Sequence, residues 1–248
     1  AVGSPSTDSR SWSRLVDTAE PETSLLLVQG NQSSWPIGAA LAISATEFPQ
    51  PPATTETEVR RLAERPTYDP DSDTTLLSLD EPLTHRHFAG VVDDSAENAN
   101  WPRPRLAAAV SLLEGRSNVV IRTGEENTDH GGEVVVASSA DGFWEGQALF
   151  RDVDFLGLGK HLYQAPALKF NFLGGHSNIS RVENCVFSRS KSGAIEANYA
   201  SVLELEGNVF HRTYRSAVWL RDTCKHDSIV LRRNIGIETL RHPEESTA

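Results

Sequence analysis

Apolar residues in this chain recur at alternate positions in short runs, not at helical spacing, and the clearest runs return in phase. Three segments superimpose: Arg181-Val182-Glu183-Asn184-Cys185-Val186-Phe187, Glu204-Leu205-Glu206-Gly207-Asn208-Val209-Phe210 and Val230-Leu231-Arg232-Arg233-Asn234-Ile235-Gly236. Arg151-Asp152-Val153-Asp154-Phe155 resembles a degenerate fourth copy. The step is 23 residues from Phe187 to Phe210 and 26 from Phe210 to Gly236. A second strand repeats with them: Leu168-Lys169-Phe170-Asn171, Ile195-Glu196-Ala197-Asn198 and Val218-Trp219-Leu220-Arg221. Units this short cannot bury their own apolar faces, so they must stack. The pattern predicts an all-β fold containing a right-handed parallel β-helix, with coils about 4.8 Å apart. Leucine-rich repeats have a similar period, but their regular Leu spacing is absent. A sandwich of unrelated strands would not bring two separate motifs back in phase.

Strand side chains alternate faces. Leu168, Ile195 and Val218, with Phe170, Ala197 and Leu220, are therefore expected inside. The outward ladders are Lys169, Glu196, Trp219 and Asn171, Asn198, Arg221. Asn208 and Asn234 fall at one coil corner, where a stacked amide can cap backbone groups of the next coil, and Cys185 takes the equivalent place.

Upstream, Ser24–Val28, Ala39–Ala45, Thr75–Leu79, Leu106–Leu113 and Asn118–Ile121 read as strands, and Glu56–Leu62 as a strand or a short helix. Pro49, Pro51 and Pro52, and the polar stretches Pro66–Thr74 and Asp93–Pro104, separate them. Residues 1–23, rich in Ser, Thr and Pro, read as a flexible linker. The expected layout is a linker at 1–23, a small β-rich segment at 24–130, the β-helix at 131–240 and a tail at 241–248.

Composition narrows the function. The 248 residues carry 34 carboxylates against 23 Lys and Arg, a formal charge of -11. That balance argues against nucleic acid, whose binding needs clustered cations. No apolar run approaches the roughly 18 residues of a spanning helix, so no membrane insertion is expected. The two cysteines, Cys185 and Cys224, allow one bridge or two buried thiols. The chain begins at Ala1 and has no Met, which suggests a processed product or a piece of something longer. Asn31-Gln32-Ser33 and Asn178-Ile179-Ser180 fit the N-glycosylation pattern, and lean slightly toward a secretory route.

Several motifs line up, in order, with one extracellular superfamily. Ser34-Trp35-Pro36-Ile37-Gly38-Ala39-Ala40-Leu41-Ala42-Ile43-Ser44-Ala45-Thr46 resembles its "W-x-x-G-D-x-x-x-I-A-S-T" turn and strand. Glu56–Leu62 is similar to its "E-x-x-x-V" strand, and Leu77 to His87 to its "L-x-L-x-x-P-L-x-x-x-H". Ala109 to Leu113 with Asn118 to Ile121 resembles "A-E-V-G-L-L-S-R-N-I-V-I", and Gly131-Gly132-Glu133-Val134 the "G-G-H-I" that opens its helix. This is the superfamily of the fibrocystin-like proteins and the cell-surface hyaluronidases, in which a G8 domain precedes parallel β-helix (PbH1) repeats. The resemblance spans about residues 24–240. The family's turn Asp is Ala39 here, and Glu114 and Gly115 look inserted.

In the hyaluronidase branch a "P-I-H-F-H" strand turns its histidines to the sugar site. The matching stretch, Pro166 to Asn171, carries Lys169 and Asn171 in their places, and the later "G-H-x-F-F-x-E-D-G" match, Ser216 to Asp222, also lacks its His. Without imidazoles the site lacks groups suited to proton transfer near neutrality. The resemblance therefore implies the non-catalytic, fibrocystin-like branch: a structural or adhesive ectodomain module of a cell-surface or ciliary-surface glycoprotein. Its partners would be the rest of a longer chain, other surface proteins and glycans, with no cofactor.

The residues themselves leave other chemistry open. Trp219 beside amides and mixed charge is a composition that can stack a sugar, with Lys169, Asn171, Glu196, Asn198 and Arg221 as its polar surround. Lys169, Glu196 and Arg221 would also suit a polysaccharide lyase if they converged. His85 and His87 could face one side as a metal pair, but no third ligand is near in sequence, so a structural role is expected and no metal site.

Overall fold

The computed structural model describes residues 10–47, 55–91, 105–114, 119–124, 130–139, 141, 143–161, 164–173, 179–200, 202–222 and 229–240, and every regular element among them is a strand. The chain divides into two units, Ala1–Arg116 and Ser117–Ala248.

The first unit is antiparallel. Strands β1 (Trp12–Arg14), β9 (Ala109–Leu112), β3 (Ala40–Ile43) and β4 (Glu58–Arg61) form one sheet in that order. A second sheet orders β2 (Leu25–Gln29), β6 (Thr74–Ser78) and β5 (Thr67–Asp69), and β7 (Ala89–Val91) pairs with β8 (Arg105–Ala107). In β2 the alternation works as read, with Leu26 and Val28 buried and Leu25 and Gln29 exposed. The core gathers Trp35, Leu41, Ile43, Leu77, Leu83 and Val110. Glu56–Leu62 resolves to strand, because β4 pairs along its length with β3.

The expectation of a flexible 1–23 fails for its second half. Trp12–Arg14 pairs with β9, Leu15 and Ala19 are buried, and Trp35 Nε1 donates to the Arg10 carbonyl at 2.9 Å. Composition misled because the few apolar residues there, spaced for burial, outweigh a polar average.

The second unit is the expected parallel β-helix. One sheet stacks β10 (Val119–Arg122), β13 (Val153–Leu156), β16 (Val186–Ser188), β19 (Val209–His211) and β22 (Ile235–Ile237). A second stacks β11 (Val134–Ala137), β14 (Leu168–Asn171), β17 (Ile195–Asn198) and β20 (Val218–Arg221). The third stacks β12 (Leu149–Arg151), β15 (Ser180–Glu183), β18 (Leu203–Glu206) and β21 (Ile229–Arg232). All pairs are parallel. The helix thus begins at β10, earlier than the expected residue 131, because β10 is the rung beneath β13. Gly131 and Gly132 lie inside the first coil. There a Cβ on Gly131 would stand 2.4 Å from the Gly157 carbonyl, so only glycine lets the two coils meet.

Each repeat motif found in the sequence is two strands bent about a corner. The corner residue has a left-handed backbone: Asp152, Asn184, Gly207 and Arg233 in successive coils. In the first three the N–H donates to the next coil, as from Asn184 to the Glu206 carbonyl at 2.8 Å, so the bend keeps that backbone group satisfied. Inside, Phe155, Phe187 and Phe210 stack with ring centroids 4.4 and 5.3 Å apart. The expected Asn ladder forms. Asn208 accepts from Cys185 N and donates to the Val182 carbonyl and Asn234 Oδ1, each at 2.9 Å.

Candidate functional site

The second sheet places the candidate residues in register. Val135, Lys169, Glu196 and Trp219 share one line of rungs, and Ala137, Asn171, Asn198 and Arg221 another. Within those lines the polar groups turn to each other. Lys169 Nζ lies 3.3 Å from Glu196 Oε1, and Asn198 Nδ2 donates to Asn171 Oδ1 at 3.2 Å. Arg221 is separate from the Lys169–Glu196 pair, with its guanidinium 5.0 Å from the Trp219 ring centroid.

Two expectations are corrected here. Glu196, expected to be open to solvent, is only 5% exposed, because the flanking rungs cover it. Leu220, expected inside, is 38% exposed, because β20 is the last strand of its sheet and no described rung covers it. Trp219 is 42% exposed, as a surface residue should be, but Arg221 lies over its ring.

The other candidates fall elsewhere. Asn31 is exposed in the first unit, its Oδ1 accepting from Ser33 N and Oγ. Asn178 and Cys224 lie outside the described residues. Cys185 is a free, fully buried thiol. Burial pushes it up to about 12, so the nucleophilic thiolate is suppressed in the folded helix.

His85 and His87 do not form a metal pair. His87 is fully buried, its ring nitrogens 2.9 Å from the Ser44 carbonyl and 3.1 Å from Glu58 Oε1. Glu58 also accepts from the Thr84 and His85 backbone and pairs with Arg60. Burial alone would raise the Glu58 carboxyl, but the hydrogen bonds from Thr84, His85 and His87 and the Arg60 charge hold it below its ordinary value. Nothing in the sequence marked Glu58, 29 residues from His87; only antiparallel folding joins them. Among the described residues no set of three His, Cys, Asp or Glu side chains could hold a metal ion, and no helix is long and apolar enough to cross a membrane.

A second buried imidazole, His211, sits in the helix with Nδ1 3.3 Å from Ser188 Oγ. Burial first, then the Arg212 and Arg189 charges, push it down to about 4, although the Glu238 carboxylate stands 3.6 Å from Nε2. Arg212 occupies that carboxylate at 2.8 Å. The arrangement holds a neutral ring in the wall and presents no proton donor to solvent.

The charges on the third sheet and its following corner also close on one another: Arg151 with Glu183, Arg181 with Glu204, and Arg233 with Glu206. Among the described residues the charges on the second and third sheets are thus held mainly in cross-coil pairs. No protein-family model matches this chain, and no curated protein matches it.

Proposed function

We propose that the chain is a non-catalytic structural module of a larger cell-surface protein of the fibrocystin-like kind. In this reading the β-helix is a rigid spacer that presents side surfaces to other proteins or glycans. One observation carries it: Lys169, the residue best placed to act as a base, is paired with Glu196 across a single rung step. A base must reach its proton directly or through one water. The cation of a lyase set would have to meet the same substrate, yet Arg221 is stacked on Trp219. Ladders of matched pairs suit stiffness along the coil axis, since each coil holds the next. The exposed Asn31 acceptor and the collinear motifs support a place at the cell surface, ciliary membranes included, with the rest of a longer chain as the first partner.

The test is depolymerisation of hyaluronan and uronate polymers by the purified chain across pH. The expected result is no chain shortening, with β-rich circular dichroism confirming the fold. Shortening that vanishes in Lys169→Ala would overturn the reading in favour of an enzyme on this face.

A further inference from the structure

Among the described residues the exposed Phe, Tyr and Trp side chains are Phe143, Trp144, Phe172, Tyr199 and Trp219, between 42 and 84% exposed. All five belong to one edge of the helix, the second sheet and the corner that follows it. Phe172 follows β14 and Tyr199 follows β17 at the same corner, and their rings stack at 5.1 Å and 7°. Trp144 is tied to the end of β11, donating its N–H to Ser139 Oγ at 2.9 Å and accepting from Ser139 N at 2.8 Å. Ser138 in turn donates to the Phe172 carbonyl at 2.5 Å, and Tyr199 N–H to the Arg221 carbonyl at 3.1 Å. The exposed rings therefore fall on four successive coils, about 14 Å along the coil axis; Phe172 and Tyr199 are in ring contact, while Trp219 lies three positions before that corner, where Asp222 takes the equivalent place.

The backbone underlines the strip. Phe172 and Tyr199 have φ of 55° and 51°, a left-handed conformation that bulky residues rarely adopt. Other bends of the helix take the same conformation at Asp152, Asn184, Arg189, Arg212 and Arg233 as well as at Gly157 and Gly207, so it belongs to the coil geometry. The two rings cover one face of each other and still remain 56 and 51% exposed, which leaves apolar surface in water at this corner.

The polar surroundings select the occupant. The amides and the Lys169–Glu196 pair are bonded among themselves, and Phe172 and Tyr199 cover one face of each other. The carboxylates beside the strip, Asp141 and Asp222, are exposed and pair with no cation among the described residues, on a chain of net charge -11. Arg221 over Trp219 shows the contact these rings make with a guanidinium. We propose that this strip docks a basic protein segment that alternates Arg or Lys with apolar side chains. Its cations would lie over the rings and meet Asp141 and Asp222, while its apolar residues cover the ring edges.

The proposal deepens the reading of the helix as an interaction module and rests on it. Depolymerisation by the chain would remove that reading, whereas the titration that follows decides the docking site by itself. The probe is a fluorescein-labelled decapeptide alternating Arg and Leu, titrated into the whole chain and followed by anisotropy. A control decapeptide alternates Arg and Ser. The Arg-Leu peptide is expected to bind saturably and about tenfold more tightly than the control. Trp144→Ala with Trp219→Ala should weaken it about tenfold. Asp141→Asn with Asp222→Asn should weaken it about threefold and flatten its salt dependence. Tyr199→Asn, which keeps a residue suited to the left-handed corner, gives a further ring deletion that spares the fold, and circular dichroism checks all three variants. Equal affinity for the two peptides, binding unchanged by these variants, or no binding would overturn the proposal. So would binding of hyaluronan oligosaccharides alone, or self-association in sedimentation that the ring deletions abolish.

Discussion

The two units bury charge and polarity in opposite ways. Among the described residues the antiparallel unit buries its ionisable groups in one knot: Glu58 receives Thr84, His85 and His87, and His87 also reaches the Ser44 carbonyl. Nothing repeats it, so every bond there is made once. The β-helix spreads the same work over rungs. Asn208 bonds both the coil below and the coil above, and Arg–Glu pairs recur on one sheet. A singular cluster should fail as a whole when one member is lost. A ladder should fail locally, since neighbouring coils retain their own bonds.

The largest effect is expected at the knot. Glu58→Ala leaves buried donors and a buried histidine without their acceptor and should cost about 4 kcal/mol. Hydrogen exchange should show lost protection throughout the first unit and little change in the second; an equal loss in both would break the comparison.

Acid should separate the units next. His211 titrates at about 4 in the fold, against an ordinary value of 6.5. Between these values the unfolded chain binds the additional proton, so helix stability is complete above about pH 6.5 and declines as pH falls toward 4. The full contribution is about 3 kcal/mol, and His211→Gln should flatten the slope in denaturant titrations. Glu58 is shifted downward, so its contribution is present above 4.5 and is lost only as pH falls through its lower folded value. The helix should therefore weaken first.

A smaller loss is expected from Asn208→Leu, which orphans Cys185 N and the Val182 carbonyl. The cost should be about 2 kcal/mol, visible as faster iodoacetamide labelling of Cys185 in a Cys224→Ala background. The smallest effect should come from Arg151→Ala, below about 1 kcal/mol because that side chain is 69% exposed. A larger loss in thermal unfolding would mean that Arg151 supports the wall and does not merely decorate it.

The helix was legible because its rungs repeat in sequence as they repeat in space. Phe187 and Phe210, 23 residues apart, could be aligned before any contact was known, and they do stack. The corner aromatics are written in the same repeat: Phe172 and Tyr199 each stand one residue beyond the aligned strand, immediately after Asn171 and Asn198. The first unit had no such handle. Trp12–Arg14 pairs with a strand nearly a hundred residues later, and its polar neighbourhood concealed it.

Alternation and period by themselves determined that this chain is all-β, where its coils stack, and which residues share a ladder. They could do so because a strand side chain's face depends only on parity, and parallel stacking carries each register forward. Tertiary structure alone decided what each ladder member does. Glu196 is covered although it lies on an outward rung, Leu220 is uncovered although it lies on an inward one, and Glu58 finds His87 across two loops. Burial and pairing depend on neighbours brought from elsewhere in the chain, and no local pattern encodes which neighbours those are.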